Sequence, residues 1–154
     1  MLERLATTPV TKLGAPEPVI LDATMRGAEA VATLVERNRG AALVGSDVEL
    51  RGIFTERDVL LHSVADGQAW FDRRLGELMT PHPTRVTAEA SVSDALVAMH
   101  EGRFRHLPVV DDAGWPVTLV SVRDILAYVS EYFPDEVLNL PPDPSVEMQS
   151  RYGG

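Results

Sequence analysis

Gly52-Ile-Phe-Thr-Glu-Arg-Asp58 carries an apolar run straight into a hydroxyl, an arginine and an aspartate, and Thr118-Leu-Val-Ser-Val-Arg-Asp124 does the same 66 positions later. Upstream, Arg39-Gly-Ala-Ala-Leu-Val44 and Arg105-His-Leu-Pro-Val-Val110 keep that offset: 39 to 105, 44 to 110, 55 to 121, 58 to 124. Matching arginine, valine, hydroxyl and aspartate positions over twenty residues identify an internal duplication, and a duplication decides the fold before any single element does.

Outward from these stretches the two copies share one grammar. Short β-branched strands are expected at Pro18–Leu21 and Thr84–Thr87, bounded by turn residues. Helices follow at Thr24–Asn38 and Ser91–Gly102. In the second, Val92, Ala95, Leu96 and Met99 make one apolar face, Ser91 with Asp94 forms a capping pair, and Gly102 supplies a stop. The two helices register only with a slip of one residue. Strand pairs come next, Ala41–Gly45 with Glu49–Thr55 and His106–Val110 with Val117–Ser121; their continuous apolar pairs mark strands covered on both faces. Helices Glu56–Ala65 and Val122–Tyr132 close the copies, and Trp70–Met79 reads as a short connecting helix with Trp70 and Phe71 as a packing anchor. The expected architecture is α/β (α+β): two pseudo-symmetric β-α-β-β-α units packed through their sheets. Unit 1 is residues 5–67, unit 2 with the connecting helix is 68–133, and 134–154 is a Pro-rich tail.

The chemistry sits where strand turns into helix. Backbone N–H groups and the positive end of the helix dipole welcome an anion there. The hydroxyl of Thr55 or Ser121 can donate to a phosphate oxygen, and the carboxylate of Asp58 or Asp124 can accept the hydroxyls of a ribose. Gly52 reads as space for a ligand against the strand. The same Thr/Ser-x-x-Asp is also a capping box that needs no ligand, and Arg57 and Arg123 read equally as solvated helix residues.

Composition narrows the classes. Hydrophobic residues make up 45% of the 154, with no apolar run of the roughly 20 residues that cross a bilayer and no secretion-type start. Cysteine is absent, which removes disulfides and thiolate chemistry, and a cytoplasmic location is expected. The net charge is −9 and the pI about 4.8, with no basic run beyond Arg73-Arg74, so a nucleic-acid duplex is not the partner. Positive charge is nearly all arginine, a planar fork suited to phosphate. His62 with Asp58 four residues earlier supplies two ligands and no third, so no metal is expected; His106 beside Arg105 reads as a polar rim. No Walker loop, Gly-x-Ser-x-Gly or Gly-x-Gly-x-x-Gly occurs, and no nucleophile–base pair can be named, so the chain reads as no enzyme.

The paired pattern resembles the tandem cystathionine-β-synthase (CBS) domain family, whose signature Gly-apolar-x-Thr/Ser-x-x-Asp ends each copy. Gly52–Asp58 matches it throughout; the second copy has Thr118 where glycine is usual, which implies a narrower second pocket. Arg105-His-Leu-Pro-Val-Val-Asp111 is similar to the family's second strand, and Leu78-Met79-Thr80 to its usual lead-in. The resemblance covers about residues 5–133. It implies a regulatory module, with no required cofactor, that binds AMP, ADP or ATP, or S-adenosylmethionine, between the units. Carried over by position, Thr55, Arg57, Asp58, Ser121, Arg123 and Asp124 meet ribose and phosphate. Arg105, with Arg39 as its counterpart, points to phosphate. Adenine rests against Val19, Ile20, Thr84 and Val86, and against Ala42 or Pro108. The resemblance further implies a flat homodimer that buries the final helix of each copy and reports to a regulated protein partner. The alternative is a protein-interaction scaffold with no small-molecule ligand, favoured by Thr118 and the tail.

Overall fold

The computed structural model describes residues 1–138. In chain order the elements are α1 (Leu2–Thr7), a 3-10 turn (Val10–Leu13), β1 (Ile20–Leu21), α2 (Gly27–Glu36), β2 (Ala41–Ser46), β3 (Glu49–Thr55) and α3 (Glu56–Asp66). A second 3-10 turn (Ala69–Asp72) follows, then α4 (Leu75–Leu78), β4 (Thr80–Pro81), β5 (Val86–Thr87), α5 (Val92–Gly102), β6 (His106–Val110), β7 (Pro116–Ser121), α6 (Val122–Tyr132) and α7 (Pro134–Leu138). Of the expected tail, only α7 falls within the described residues. The α/β fold of two β-α-β-β-α units stands: β1 runs parallel to β2 and β2 antiparallel to β3, and β5, β6 and β7 repeat the arrangement.

Local chemistry moves some boundaries. Helix α2 starts after Arg26 rather than at Thr24, because Asp22 Oδ1 first holds the Thr24 N–H at 2.7 Å in a turn. The Glu29 carboxylate then accepts the Arg26 N–H at 3.0 Å to open the helix. The connecting helix is broken at Arg73-Arg74. Arg73 O accepts from Gly27 N at 2.9 Å and Leu75 N donates to Met25 O at 2.7 Å, so the backbone there is spent on the first unit.

The hydrophobic packing crosses the sequence boundary between the units. Trp70, Leu75 and Leu78 of the connector bury themselves in the first core with Ala30, Leu34, Ala42, Val44 and Phe54. Leu5, Val10 and Leu13, which lie before the first unit's strands, bury themselves in the second core with Val92, Met99, Val109 and Ile125. Each unit is completed by a segment from outside its own stretch of sequence. A small seam of Leu43, Leu50 and Val110, flanked by Ile20 and Leu119, joins the two sheets.

The units superpose with two offsets, not one. Bridges Pro9–Ser91 and Arg26–Arg74 are reciprocal at 65 positions, 9 to 74 and 26 to 91. The left-handed residues Asn38 and Arg103 keep 65, and Ala41 faces Thr55 as His106 faces Ser121. From β3 onward the offset is 66, as with Thr55 and Ser121. The extra residue of the second unit lies in its β6–β7 hairpin, where Asp111 Oδ1 gathers the N–H groups of Ala113 and Trp115 at 2.9 and 2.8 Å. Arg39 and Arg105 are therefore not counterparts. Gly40 matches Arg105: Gly40 O accepts from Glu56 N and Arg105 O from Val122 N, both at 3.0 Å.

Gly52 has a different reason from the one the sequence suggested. β4 pairs across it, and a Cβ there would overlap the Met79 thioether and come 2.9 Å from Thr80 O. The absent side chain admits a fourth strand, not a ligand. In the second unit Thr118 stands at this place; among the described residues its sheet has three strands and its buried hydroxyl has no partner.

Candidate functional site

A crevice of 1080 Å³ opens between the units and meets both strand-to-helix junctions. Thr55, Arg57, Asp58, Ser121, Arg123 and Asp124 all line it, as do Arg39, Arg105, Val19 and Thr84. Four expected residues do not. Ala42 and Pro108 are fully buried, Val86 packs on the second core and Ile20 on the seam. Alternation explains Ala42: it shares the helix-side face of β2 with Val44, while Ala41 faces the crevice. Ala42 and Pro108 differ by 66 where the strands match at 65, so they lie on opposite faces of equivalent strands. Neither Gly52 nor Thr118 lines the crevice, which removes the expected narrowing by Thr118.

Both junctions are closed by capping boxes. Asp58 Oδ2 accepts from Thr55 N at 2.8 Å and from Thr55 Oγ1 at 3.0 Å. Asp124 Oδ2 accepts from Ser121 N at 2.7 Å and Ser121 Oγ at 2.6 Å. The hydroxyls expected to donate to phosphate thus donate to their own aspartates, because a carboxylate three residues on is the nearest strong acceptor. Each carboxylate keeps its other oxygen. Asp58 Oδ1 receives only Thr80 Oγ1 at 3.4 Å, and Asp124 Oδ1 has no partner among the described residues. Cap and acceptor are compatible in one side chain, since an ionised carboxylate has about four lone-pair positions.

Several lining residues escaped the sequence reading: Glu56, Arg103 and His82. Glu56 folds its carboxylate over Gly40, where a Cβ would come within 3.2 Å of Glu56 Oε2. Arg103 ends α5 with φ of 55°, a conformation uncommon outside glycine and asparagine, and its carbonyl accepts from Arg57 Nη1 at 3.4 Å across the unit boundary.

His106 sits at the start of β6, half-buried on the crevice wall. Burial holds its pKa below 6.5, opposed by the charges of Glu56 and Asp124 and assisted by Arg105. The folded value lies under the unfolded one, so the unfolded chain binds the proton first. The stability that neutral His106 contributes is present above about pH 6.5 and lost as pH falls through the folded value. The urea midpoint is expected to fall between pH 7.5 and pH 5.5, and to fall less in His106→Asn. Equal slopes in the two proteins would contradict this. Asp22 and Asp94, lowered from 3.8 by hydrogen bonds from Thr24 and Ser91, act only in a more acidic window.

His62 is committed elsewhere, with Nε2 3.0 Å from Leu78 O and Nδ1 3.6 Å from Asp66. Among the described residues no three His, Asp or Glu side chains gather as a metal site, and no helix is long and apolar enough to cross a membrane.

A family model described as "CBS domain" matches residues 10–65 and 75–131. The CBS domain-containing protein CBSCBSPB5 of Arabidopsis thaliana is 34% identical over 118 residues, 77% of this chain and 20% of that protein. The chain thus spans about a fifth of that relative's length. A CBS-domain containing protein from Agrobacterium tumefaciens superposes with a TM-score of 0.72 at 28% identity, over 79% of this chain and 98% of that one. A CBS domain protein from Pyrobaculum aerophilum complexed with AMP is similar in fold, with a TM-score of 0.70 at 24% identity over 80% of this chain and 98% of that one.

Proposed function

Because this chain belongs to the CBS-domain family, both of its units matching that family's model, we propose that it is a non-catalytic regulatory module that binds an adenine nucleotide between its units. The observation that carries this reading is one open crevice of 1080 Å³ meeting two hydroxyl–aspartate helix starts, each with a carboxylate oxygen to spare. Arginines 39, 57, 105 and 123 on its walls make no ion pair within 4.0 Å among the described residues, in a chain of net charge −9. AMP bound by the Pyrobaculum aerophilum protein of similar fold supports an adenosyl ligand. Bound ligand favours one arrangement of the units by its differential affinity, and that arrangement is what a regulated protein in the cytoplasm reads.

Calorimetric titration with AMP, ADP, ATP and S-adenosylmethionine tests this. At least one is expected to bind with a Kd below about 1 mM. At 100 times Kd it adds about 2.7 kcal/mol, which raises Tm by about 5–11 °C in a domain of this size. A Tm unmoved by all four, with tight capture of one protein partner, favours the scaffold instead. The capping boxes are the observation on that side.

The assembly is a homodimer in this reading. Helix α3 has no buried residue, and Leu60, Leu61 and Val64 are exposed at 67, 61 and 87%. Leu126 and Tyr132 of α6 are exposed as well, and in this reading a second copy covers the apolar side chains of both helices. Sedimentation is expected to give twice the chain mass, and Val64→Asp to give one chain. A monomeric wild type at tens of micromolar removes the dimer.

A further inference from the structure

The last helices of the two units occupy equivalent places and are held in different ways. From β3 onward the copies match at 66, so Val59, His62 and Asp66 of α3 stand where Ile125, Tyr128 and Tyr132 stand in α6. Helix α6 is anchored by burial. Ile125 and Tyr128 belong to the second core at 2 and 8% exposure, and the Arg4 guanidinium lies 5.5 Å from the centre of the Tyr132 ring. Helix α3 has no buried residue, and only its Val59 packs against the first core. Polar rungs hold it instead, one per turn along one face. Asp58 Oδ1 accepts from Thr80 Oγ1 at 3.4 Å, His62 Nε2 lies 3.0 Å from Leu78 O, and Asp66 Oδ2 accepts from Arg73 Nη1 at 3.3 Å. A spacing of four residues sets all three against the connector, while Leu60, Leu61 and Val64 are exposed. None of the rungs is fully buried, so water replaces a lost bond at small cost, and each contributes less than a buried side chain does.

We propose that α3 is a latch: it leaves the connector and rejoins it as one piece while α6 stays seated, and a ligand held by Asp58 keeps it closed. The ligand control rests on the nucleotide reading above, because Asp58 is at once the first rung and a crevice acceptor. A ligand that meets Asp58 only when α3 is seated favours that state by the affinity Asp58 supplies. By linkage an open latch weakens the ligand by the same factor. Crevice occupancy thereby decides whether the Leu60, Leu61 and Val64 surface is presented in a fixed form.

Amide hydrogen exchange read by mass spectrometry tests this on the full chain at sub-micromolar concentration, where a second copy covers α3 least. Without ligand, α3 is expected to exchange about 10-fold or more faster than α6, the difference that one buried side chain makes. His62→Ala is expected to speed α3 about 2–10-fold and leave α6 unmoved, and His62→Gln, whose amide can still donate to the Leu78 carbonyl, to restore slow exchange. Whichever of AMP, ADP, ATP and S-adenosylmethionine binds is expected at saturation to slow α3 about 10–100-fold, and to leave it fast in Asp58→Ala. Equal exchange in the two helices, a His62→Ala effect shared by both, or a bound nucleotide that leaves α3 unchanged would each overturn the latch. Fast α3 exchange with the His62→Ala response, and no adenosyl compound bound, keeps the latch and removes the nucleotide reading.

Discussion

Trp70→Ala is expected to lower the unfolding free energy by about 3–5 kcal/mol, read from urea denaturation, which leaves a domain of ordinary stability close to unfolding. The indole is fully buried in the first core although it belongs to the connector. Its fit is built into the sequence at a distance: Gly27 opens α2, and any Cβ there would come within 2.8 Å of the Trp70 ring and of Leu78. Phe71 meets the ring edge-on at 4.7 Å between centroids. The indole N–H has no partner inside that core. Trp70→Phe removes this unsatisfied donor together with some volume, so its loss is expected to be less than half that of Trp70→Ala. A Trp70→Ala cost under about 1 kcal/mol would mean that the connector does not wall the first core.

Asp124→Ala is expected to weaken adenine-nucleotide binding by about 10–100-fold, the range for a hydrogen bond to a charged group. The difficulty is that Asp124 also caps α6, so a loss of binding could follow from a loosened helix. Asp94 resolves this. It closes α5 in the same way, with Asp94 Oδ2 accepting from Ser91 N at 2.9 Å and Ser91 Oγ at 2.7 Å, but it lies outside the crevice. Both substitutions remove the third-position partner of a capping box and are expected to lower Tm by similar, small amounts. Only Asp124→Ala is expected to change Kd. If Asp94→Ala weakens binding equally, or Asp124→Ala leaves it intact, the aspartates serve their helices alone.

The duplication was legible because Thr55-Glu-Arg-Asp58 and Ser121-Val-Arg-Asp124 lie after the hairpin, where the offset is 66. The same offset carried upstream matched Arg39 with Arg105 and Val44 with Val110, pairs that the strand registers separate. Hairpin loops absorb an extra residue cheaply, and sequence alone does not say whether a slip belongs to a helix or to a turn. The misplacement of Ala42 follows from that one residue. Gly52 was misread for another reason: a glycine in a strand records only that something comes close, and here it is Met79 and Thr80 rather than a ligand. The crevice residues Glu56 and Arg103 were hidden because neither is a defined position of the Thr/Ser-x-x-Asp pattern.

The exchange of segments between the units also sets an order of events on the ribosome. The connector follows the first unit directly, so that half can close within a few residues of its own synthesis. Val10 and Leu13 instead wait for Val92 through Ile125, which follow 79 to 115 positions later. At about 5–20 residues per second this N-terminal segment stays without its full set of partners for on the order of 4–23 s. During that interval Leu5, Val10 and Leu13 are open to chaperones, and a stall between the halves would leave them stranded.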